Sequence, residues 1–169
     1  MIYTTHYESP VGRILLAEKG ESLIGLWLEG QKYFLGSINE DTTEKENTPV
    51  FRQTRNWLDS YFAGERPSIS QLNLLPAGSK FRRLVWKILC EIPYGEVTTY
   101  GEISKKIAEQ CGLQRMSAQA VGGAVGHNPI SIIIPCHRVV GSNGNLTGYA
   151  GGIQKKAMLL KHEGVSLKL

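Results

Sequence analysis

Residues 99–126 read TYGEISKKIAEQCGLQRMSAQAVGGAVG, and their punctuation predicts two helices joined by a short connection. Thr99 and Glu102 have the spacing of a capping box, in which the hydroxyl caps the helix and the carboxylate reaches back to the capping residue's amide. The helix they open runs through Ile103 and Ile107 to about Ala108. Cys111-Gly112-Leu113-Gln114-Arg115 then connects to a second helix, capped by Ser117, running from Ala118 to Gly126 and stopped by Asn128-Pro129. Helix, connection, helix is the outline of a helix-turn-helix, although this connection is longer than the usual three or four residues. The second helix is almost bare: Ala118, Ala120, Gly122, Gly123, Ala124 and Gly126. Each glycine costs a helix about 1 kcal/mol relative to alanine, so something must justify them. Close packing against another element is one reason. Entry into a DNA minor groove, only about 6 Å wide, is the other.

Upstream, Ser79 is placed to cap a helix with Phe81, Leu84, Val85, Ile88 and Leu89 on its buried face. Ile92-Pro93-Tyr94-Gly95 is a turn, and Cys90, at the helix end, reads as packing. Leu75-Pro76-Ala77-Gly78-Ser79 marks a boundary. Before it, residues 2–7, 11–18 and 22–29 are short apolar segments separated by turn residues, as in strands. A polar stretch, Asn39 to Thr48, reads as an exposed loop. From Pro49, Phe51, Thr54, Leu58 and Phe62, with Trp57 and Tyr61 beside them, recur at helical spacing until Gly64 and Pro67. The expected architecture is an α/β N-terminal scaffold domain over 1–76, a small antiparallel sheet with a helix. A mainly α C-terminal domain over 77–169 follows, carrying the helix-turn-helix in a winged-helix-like arrangement.

Downstream, Ser131-Ile132-Ile133-Ile134 has the composition of a buried strand, and Pro135 must end it. The residues presented after that break are Cys136-His137-Arg138. A cysteine beside a histidine and an arginine is in an electropositive setting that lowers its pKa toward the thiolate, the species that attacks carbon. Most buried cysteines are inert filling, so the pair alone decides little. Ile153 to Lys161 reads as a helix with Gly164 at its C-cap. Glu163 in its last turn opposes the helix dipole by about 0.3–1 kcal/mol. A partner such as His137 would offset that; solvent exposure is the other explanation.

The chain's 41% hydrophobic and 20% charged residues are those of an ordinary globular protein. Its net charge of +4 hides an asymmetry. Residues 1–79 hold seven Lys/Arg against ten Asp/Glu, and residues 80–169 hold twelve against five. A basic second half points to a polyanion, although solvated lysines would look the same. Three cysteines, Cys90, Cys111 and Cys136, contain no CxxC pair. That argues against a disulfide framework and for a reducing compartment. With no basic region followed by an apolar core in MIYTTHYESP and no run long enough to span a bilayer, a cytoplasmic location is expected. His6 stands alone, so no metal site is expected in the N-terminal half.

Ile134-Pro135-Cys136-His137-Arg138-Val139-Val140 resembles the active-site signature of the O6-alkylguanine-DNA alkyltransferases, the methylated-DNA–protein-cysteine methyltransferases. The resemblance extends through Pro93 to Tyr100, Ala120 to Ala124, Asn128-Pro129, Gly148 to Gly152 and His162-Glu163-Gly164, and so covers nearly all of residues 80–169. It implies direct-reversal DNA repair by a single-turnover suicide enzyme. Cys136 would take a methyl or larger alkyl group from O6-alkylguanine, with O4-alkylthymine as a second candidate substrate. His137 would take the thiol proton through a water, Glu163 would hold the histidine, and Asn128 would brace the turn. Tyr100 would press on the phosphate beside the lesion and donate a proton toward the departing guanine. Tyr100, Gly101, Gln119, Arg138 and Ser142 are the implied DNA contacts. The Val139 carbonyl and the backbone around Tyr149 would read the extruded base.

The implied partner is double-stranded DNA carrying the lesion, met by a monomer, with no cofactor, nucleotide, metal or membrane. Guanine O6 lies inside the stack, so the nucleotide must be flipped at a cost of a few kcal/mol. Two departures stand out: Gln119 occupies the place where the family commonly has an arginine, and the connection between the helices carries extra residues. The zinc ligands of some members' N-terminal domains are absent. Three rivals fit less of the pattern: a transcriptional helix-turn-helix, a lesion marker without chemistry, and a thiol hydrolase.

Overall fold

The computed structural model describes residues 1–167, folded as two compact units. Met1–Ala77 together with Pro129–Ser131 form the first; the second takes the rest from Gly78.

In the first unit, β1 (Ile2–Ser9), β2 (Gly12–Lys19) and β3 (Ser22–Leu28) form an antiparallel meander. The β2–β3 turn places Gly20 and Glu21 at φ +57° and +67°, the left-handed pair that matches strand twist in a two-residue hairpin. Ile14 to Glu18 are buried without alternation because both sheet faces are covered. Ile2, Leu15, Ala17 and Trp27 form one cluster, under Ile24, Leu35 and Ile38. Against the sheet also packs α1 (Pro49–Phe62), capped by Thr48, with Phe51, Thr54, Trp57, Leu58 and Tyr61 buried. Tyr61, not Phe62, belongs to the buried face.

The polar stretch before α1 is exposed from Asn39 to Asn47, with Thr48 buried at its end, and it contains a short strand, β4 (Thr42–Glu44), parallel to β1. The sheet, ordered β3-β2-β1-β4, is therefore mixed. Polar residues suit such an edge, where no side chain enters a core. The opposite edge, β3, is covered by two short segments. The Leu23 amide donates to the Asn73 carbonyl at 2.9 Å, and the Leu26 amide to that of Pro129 at 2.8 Å. The first unit also holds a single-turn 3₁₀ helix, Ile69–Gln71.

The second unit opens with α2 (Lys80–Leu89), capped by Ser79. Trp86 is buried on it and donates to the Ala124 carbonyl at 2.8 Å, whereas Phe81 and Leu84 are only half-buried. After β5 (Thr98–Thr99) comes α3 (Tyr100–Cys111), with the Glu102 amide donating to the Thr99 hydroxyl at 3.1 Å. The second half of the expected capping box differs: Glu102 accepts from the Thr98 hydroxyl at 2.7 Å. Also, α3 continues past Ala108 until Gly112 leaves the helix at φ +66°. Ser117 caps α4 (Ala118–Gly126), the second helix of the helix-turn-helix. A 3₁₀ turn (Cys136–Arg138), β6 (Val139–Val140) and α5 (Ile153–His162) complete the unit.

Ser131 to Ile134 is buried but is wound into a turn, with Ile132 at φ +70°. This corrects the expected strand. A run of β-branched residues reports burial, and extension only when a partner strand is available. The left-handed conformation costs a β-branched residue about 1–2 kcal/mol, a strain located four residues before Cys136.

Candidate active site

Four pieces of the second unit assemble around Cys136. The first is the turn itself. Pro135, at φ −81° and ψ 65°, lets the Cys136 amide donate to the Ile134 carbonyl at 2.8 Å, an inverse γ-turn. Asn128, directly after α4, donates to that same carbonyl at 2.8 Å and hydrogen-bonds the cysteine side chain. A buried amide thus ties the end of the second helix to the sulfur.

The second piece is the end of α5. Glu163 lies at its C-cap, buried, and accepts from His137 Nε2 at 2.6 Å. Its carboxylate also accepts from Arg138 Nε at 2.8 Å, Arg138 Nη2 at 3.1 Å and the Gly95 amide at 3.1 Å. Four donors on one carboxylate hold it as an anion, so His137 must present an N–H at Nε2 and keep its lone pair at Nδ1. That Nδ1 is buried and has no hydrogen-bond partner among the described residues. Burial holds His137 below its usual pKa, against the raising pull of Glu163, which makes the ring a neutral base.

Arg138 does not face outward. It is buried, its guanidinium forks onto Glu163, and Nη1 donates to the Ile92 carbonyl at 2.7 Å. Its expected place among the DNA contacts is not where the structure puts the guanidinium: the residue is buried, and three of its five N–H donors are committed internally. The expected pKa of Cys136 is corrected with it. Burial pushes the thiol above its ordinary value, and the lowering comes from Asn128 and Lys156, not from Arg138.

The third piece is the β5–β6 pair, in which Thr98 and Thr99 lie in register with Val139 and Val140. Since β6 follows the cysteine turn and β5 precedes α3, this pairing sets Tyr100 and Gly101 beside the site. Tyr100 is half-buried, and its hydroxyl accepts from Thr147 Oγ1 at 3.2 Å. Gly101, Gln119 and Ser142 are exposed, and Tyr149 is half-buried.

Along α4 the small residues divide. A Cβ on Gly122 would touch the Tyr100 ring at 3.8 Å, whereas one on Gly123 or Gly126 would meet open space. The first is ordinary van der Waals contact, so packing within the protein requires none of the three to be glycine.

The fourth piece was not singled out from the sequence. Lys156, on α5, is completely buried and donates from Nζ to the Val139 carbonyl at 2.5 Å and the Thr147 carbonyl at 3.1 Å. Burial brings its pKa down to about 8, with the Cys136 charge opposing. One cue was available: Lys156 stands three residues before Leu159 and four before Leu160, on the apolar face of its helix. Lysine stems often lie along such faces with the ammonium in water, so the pattern alone does not reveal a buried head group.

Among the described residues no cluster of His, Cys, Asp and Glu could hold a metal ion, and no helix is long and apolar enough to cross a membrane.

Residues 80–165 match the family described as "6-O-methylguanine DNA methyltransferase, DNA binding domain", and residues 2–76 match its "ribonuclease-like domain". The chain is 42% identical to a methylated-DNA–protein-cysteine methyltransferase of Haemophilus influenzae, over 96% of this chain and 86% of that one. It is 45% identical to a protein of the same name from Methanosarcina acetivorans, over 96% and 99%. Among solved structures it resembles Mycobacterium tuberculosis OGT in complex with DNA, at a TM-score of 0.79 and 41% identity, covering 96% of this chain and 91% of that one.

Proposed function

The chain belongs to the 6-O-methylguanine DNA methyltransferase family, and from that premise we propose that it repairs O6-alkylguanine in double-stranded DNA by moving the alkyl group irreversibly onto Cys136. The observation that carries the assignment of roles is the His137 Nε2–Glu163 Oε2 contact at 2.6 Å, which leaves Nδ1 as the only basic nitrogen of the ring.

The thiol proton passes to His137 Nδ1, through a water, and Glu163 stabilises the imidazolium that forms. The thiolate attacks the alkyl carbon in line with the C–O6 bond. A C–S bond forms, the C–O6 bond breaks, and its electron pair stays on the guanine, which takes up one proton. Tyr100 supplies that proton, and Asn128 keeps the sulfur on its turn. The Val139 carbonyl already accepts from Lys156 and has a second lone pair for an amino group of the base. The backbone around Tyr149 reads the same base.

Because Cys136 is only 4% exposed, a base in the stack cannot reach it, and the nucleotide must be flipped out of the duplex. On α4 the exposed Gln119 fills the space the base leaves, and Gly123 and Gly126 allow the helix to approach the minor groove. Gly101 and Ser142 meet the backbone on either side. The protein acts as a monomer in the cytoplasm, and because no group here cleaves a thioether, each molecule acts once.

The test is mass spectrometry after incubation with an O6-methylguanine duplex. The expected result is a single added methyl on the peptide carrying Cys136, with repaired guanine rising to one equivalent and stopping. Cys136→Ser should bind DNA and repair none. Repair beyond one equivalent, or a methyl elsewhere, overturns the reading.

A further inference from the structure

Thr147 stands on the loop between β6 and α5, half-buried, and donates from Oγ1 to the Tyr100 hydroxyl at 3.2 Å. The surrounding chain builds it into place. The loop closes on itself: the Gly141 amide donates to the Asn145 carbonyl at 2.9 Å and the Gly144 amide to the Gly141 carbonyl at 2.8 Å. Gly144 turns the chain there at φ +81°, and the Asn145 amide donates to Asn143 Oδ1 at 3.1 Å. The Thr147 carbonyl accepts from Lys156 Nζ at 3.1 Å, which ties this part of the loop to α5. The Thr147 methyl lies against Gly141, where an added Cβ would meet Cγ2 at 3.2 Å, tighter than ordinary van der Waals contact. A residue without a side chain at 141 keeps that room free.

A phenol O–H lies near the plane of its ring and has two settings, one on either side of the C–O axis. Its oxygen can donate and accept at once. A donor that approaches from one side takes the lone pair there and leaves the hydrogen on the other. Without the Thr147 donor the O–H is free to turn, and one of its two settings points back at residue 147.

We propose that Thr147 is a positioning residue that sets the Tyr100 hydroxyl, keeping its proton directed away from the loop and available to the departing guanine. The proposal rests on Tyr100 as the proton donor and adds what aims that donor. Threonine itself neither gains nor loses a proton. When Tyr100 gives its proton to the base, the phenolate oxygen still accepts from Thr147, now as a charge-assisted hydrogen bond. Solvent then returns a proton to the tyrosine and takes the thiol proton from His137, so that atoms and charge balance.

The orientation is read by NMR of tyrosine labelled at Cζ, with the Tyr100 resonance identified by its loss in Tyr100→Phe. Thr147→Val keeps the methyl against Gly141 but cannot donate. It should move the Tyr100 resonance, and Thr147→Ser, which restores the donor, should bring it back. A Tyr100 resonance in the same place in all three forms overturns the proposal.

Single-turnover kinetics with an O6-methylguanine duplex read the consequence. Thr147→Val should lower the rate at saturation by about three- to tenfold, as expected for one neutral hydrogen bond, and leave the half-saturating concentration unchanged. Thr147→Ser should recover most of the rate. Placed on Tyr100→Phe, Thr147→Val should cost nothing further, because the hydroxyl it aims is gone. A loss of the same size in that background means that Thr147 only holds the loop, and the proposal is wrong. A Tyr100→Phe protein that transfers at the full rate overturns the proton-donor role itself, while the resonance still decides whether Thr147 sets the hydroxyl.

Discussion

The two units bury polar groups to different ends. In the first, Thr54 donates to the Val50 carbonyl at 2.8 Å, Tyr7 to Asp59 at 2.6 Å, and Thr48 caps α1 while donating to Glu18. Glu18 is the one formally charged side chain buried there among the described residues. In the second unit His137, Arg138, Lys156 and Glu163 are all buried. Removing a charge from water costs several kcal/mol after relaxation. A fold seeking only stability would fill that volume with leucine. The first unit therefore shows what polar burial looks like when it only completes a scaffold, and the second what it looks like when a reaction is being prepared.

The sharpest way to break this comparison is to disable the acid–base unit. Glu163→Gln and His137→Ala should each slow transfer by about 10²-fold or more, and the double variant should be little slower than either. Single-turnover kinetics decide: fully additive losses would mean that the two residues act apart. Stability gives the next test. Arg138→Met strands the Glu163 charge and should cost about 3–5 kcal/mol in urea denaturation. Glu18→Gln, which trades one acceptor for another opposite a hydroxyl, should cost about 1–2 kcal/mol and leave transfer intact. Equal losses would erase the distinction between the two interiors.

The pH dependence follows from His137. Because burial lowers its pKa in the fold, the unfolded chain binds the proton first as pH falls. The stability tied to its neutral form is therefore complete above about pH 6.5 and is lost as pH drops from there through the folded value. The transfer rate should hold until below pH 6.5 and then decline, and it should climb on the alkaline side as the buried thiol ionises. A decline that begins above pH 7 would mean that the ring is charged at rest.

Smaller effects are expected on the exposed helix. Gln119→Arg should tighten duplex binding, steepen its salt dependence by about one phosphate contact and speed repair of duplex DNA. Reaction with free O6-benzylguanine, which needs no flipping, should hardly change. Binding titrations at several salt concentrations check the first part, and an equal change for both substrates would remove Gln119 from the flipping step. The least effect on the fold belongs to Gly123→Ala, which should stabilise α4 by up to about 1 kcal/mol, since its Cβ meets open space, while weakening DNA binding. If binding is unaffected, the bare face of α4 serves no close approach.

Much of this was legible along the chain because the signals are local. Ser79, Thr99 and Ser117 each cap the helix they precede, since a hydroxyl reaches amides only two or three residues on. Pro135 ended the apolar run and exposed the cysteine turn as a discontinuity. The three N-terminal strands, the helices and the Ile134–Val140 block, through which the chain resembles its family, needed no coordinates. The Ser131–Ile134 turn was misread because β-branched residues signal burial in strands and turns alike, and β4 was hidden because an edge strand needs no apolar side chain. What the tertiary structure decided is where the charges go. Arg138 is adjacent in sequence to Cys136 yet spends its charge on Glu163, whereas Lys156, twenty residues away, is the cation that the sulfur senses. Coulomb interaction depends on distance through the fold and on the local dielectric, and neither quantity can be read from spacing along a chain.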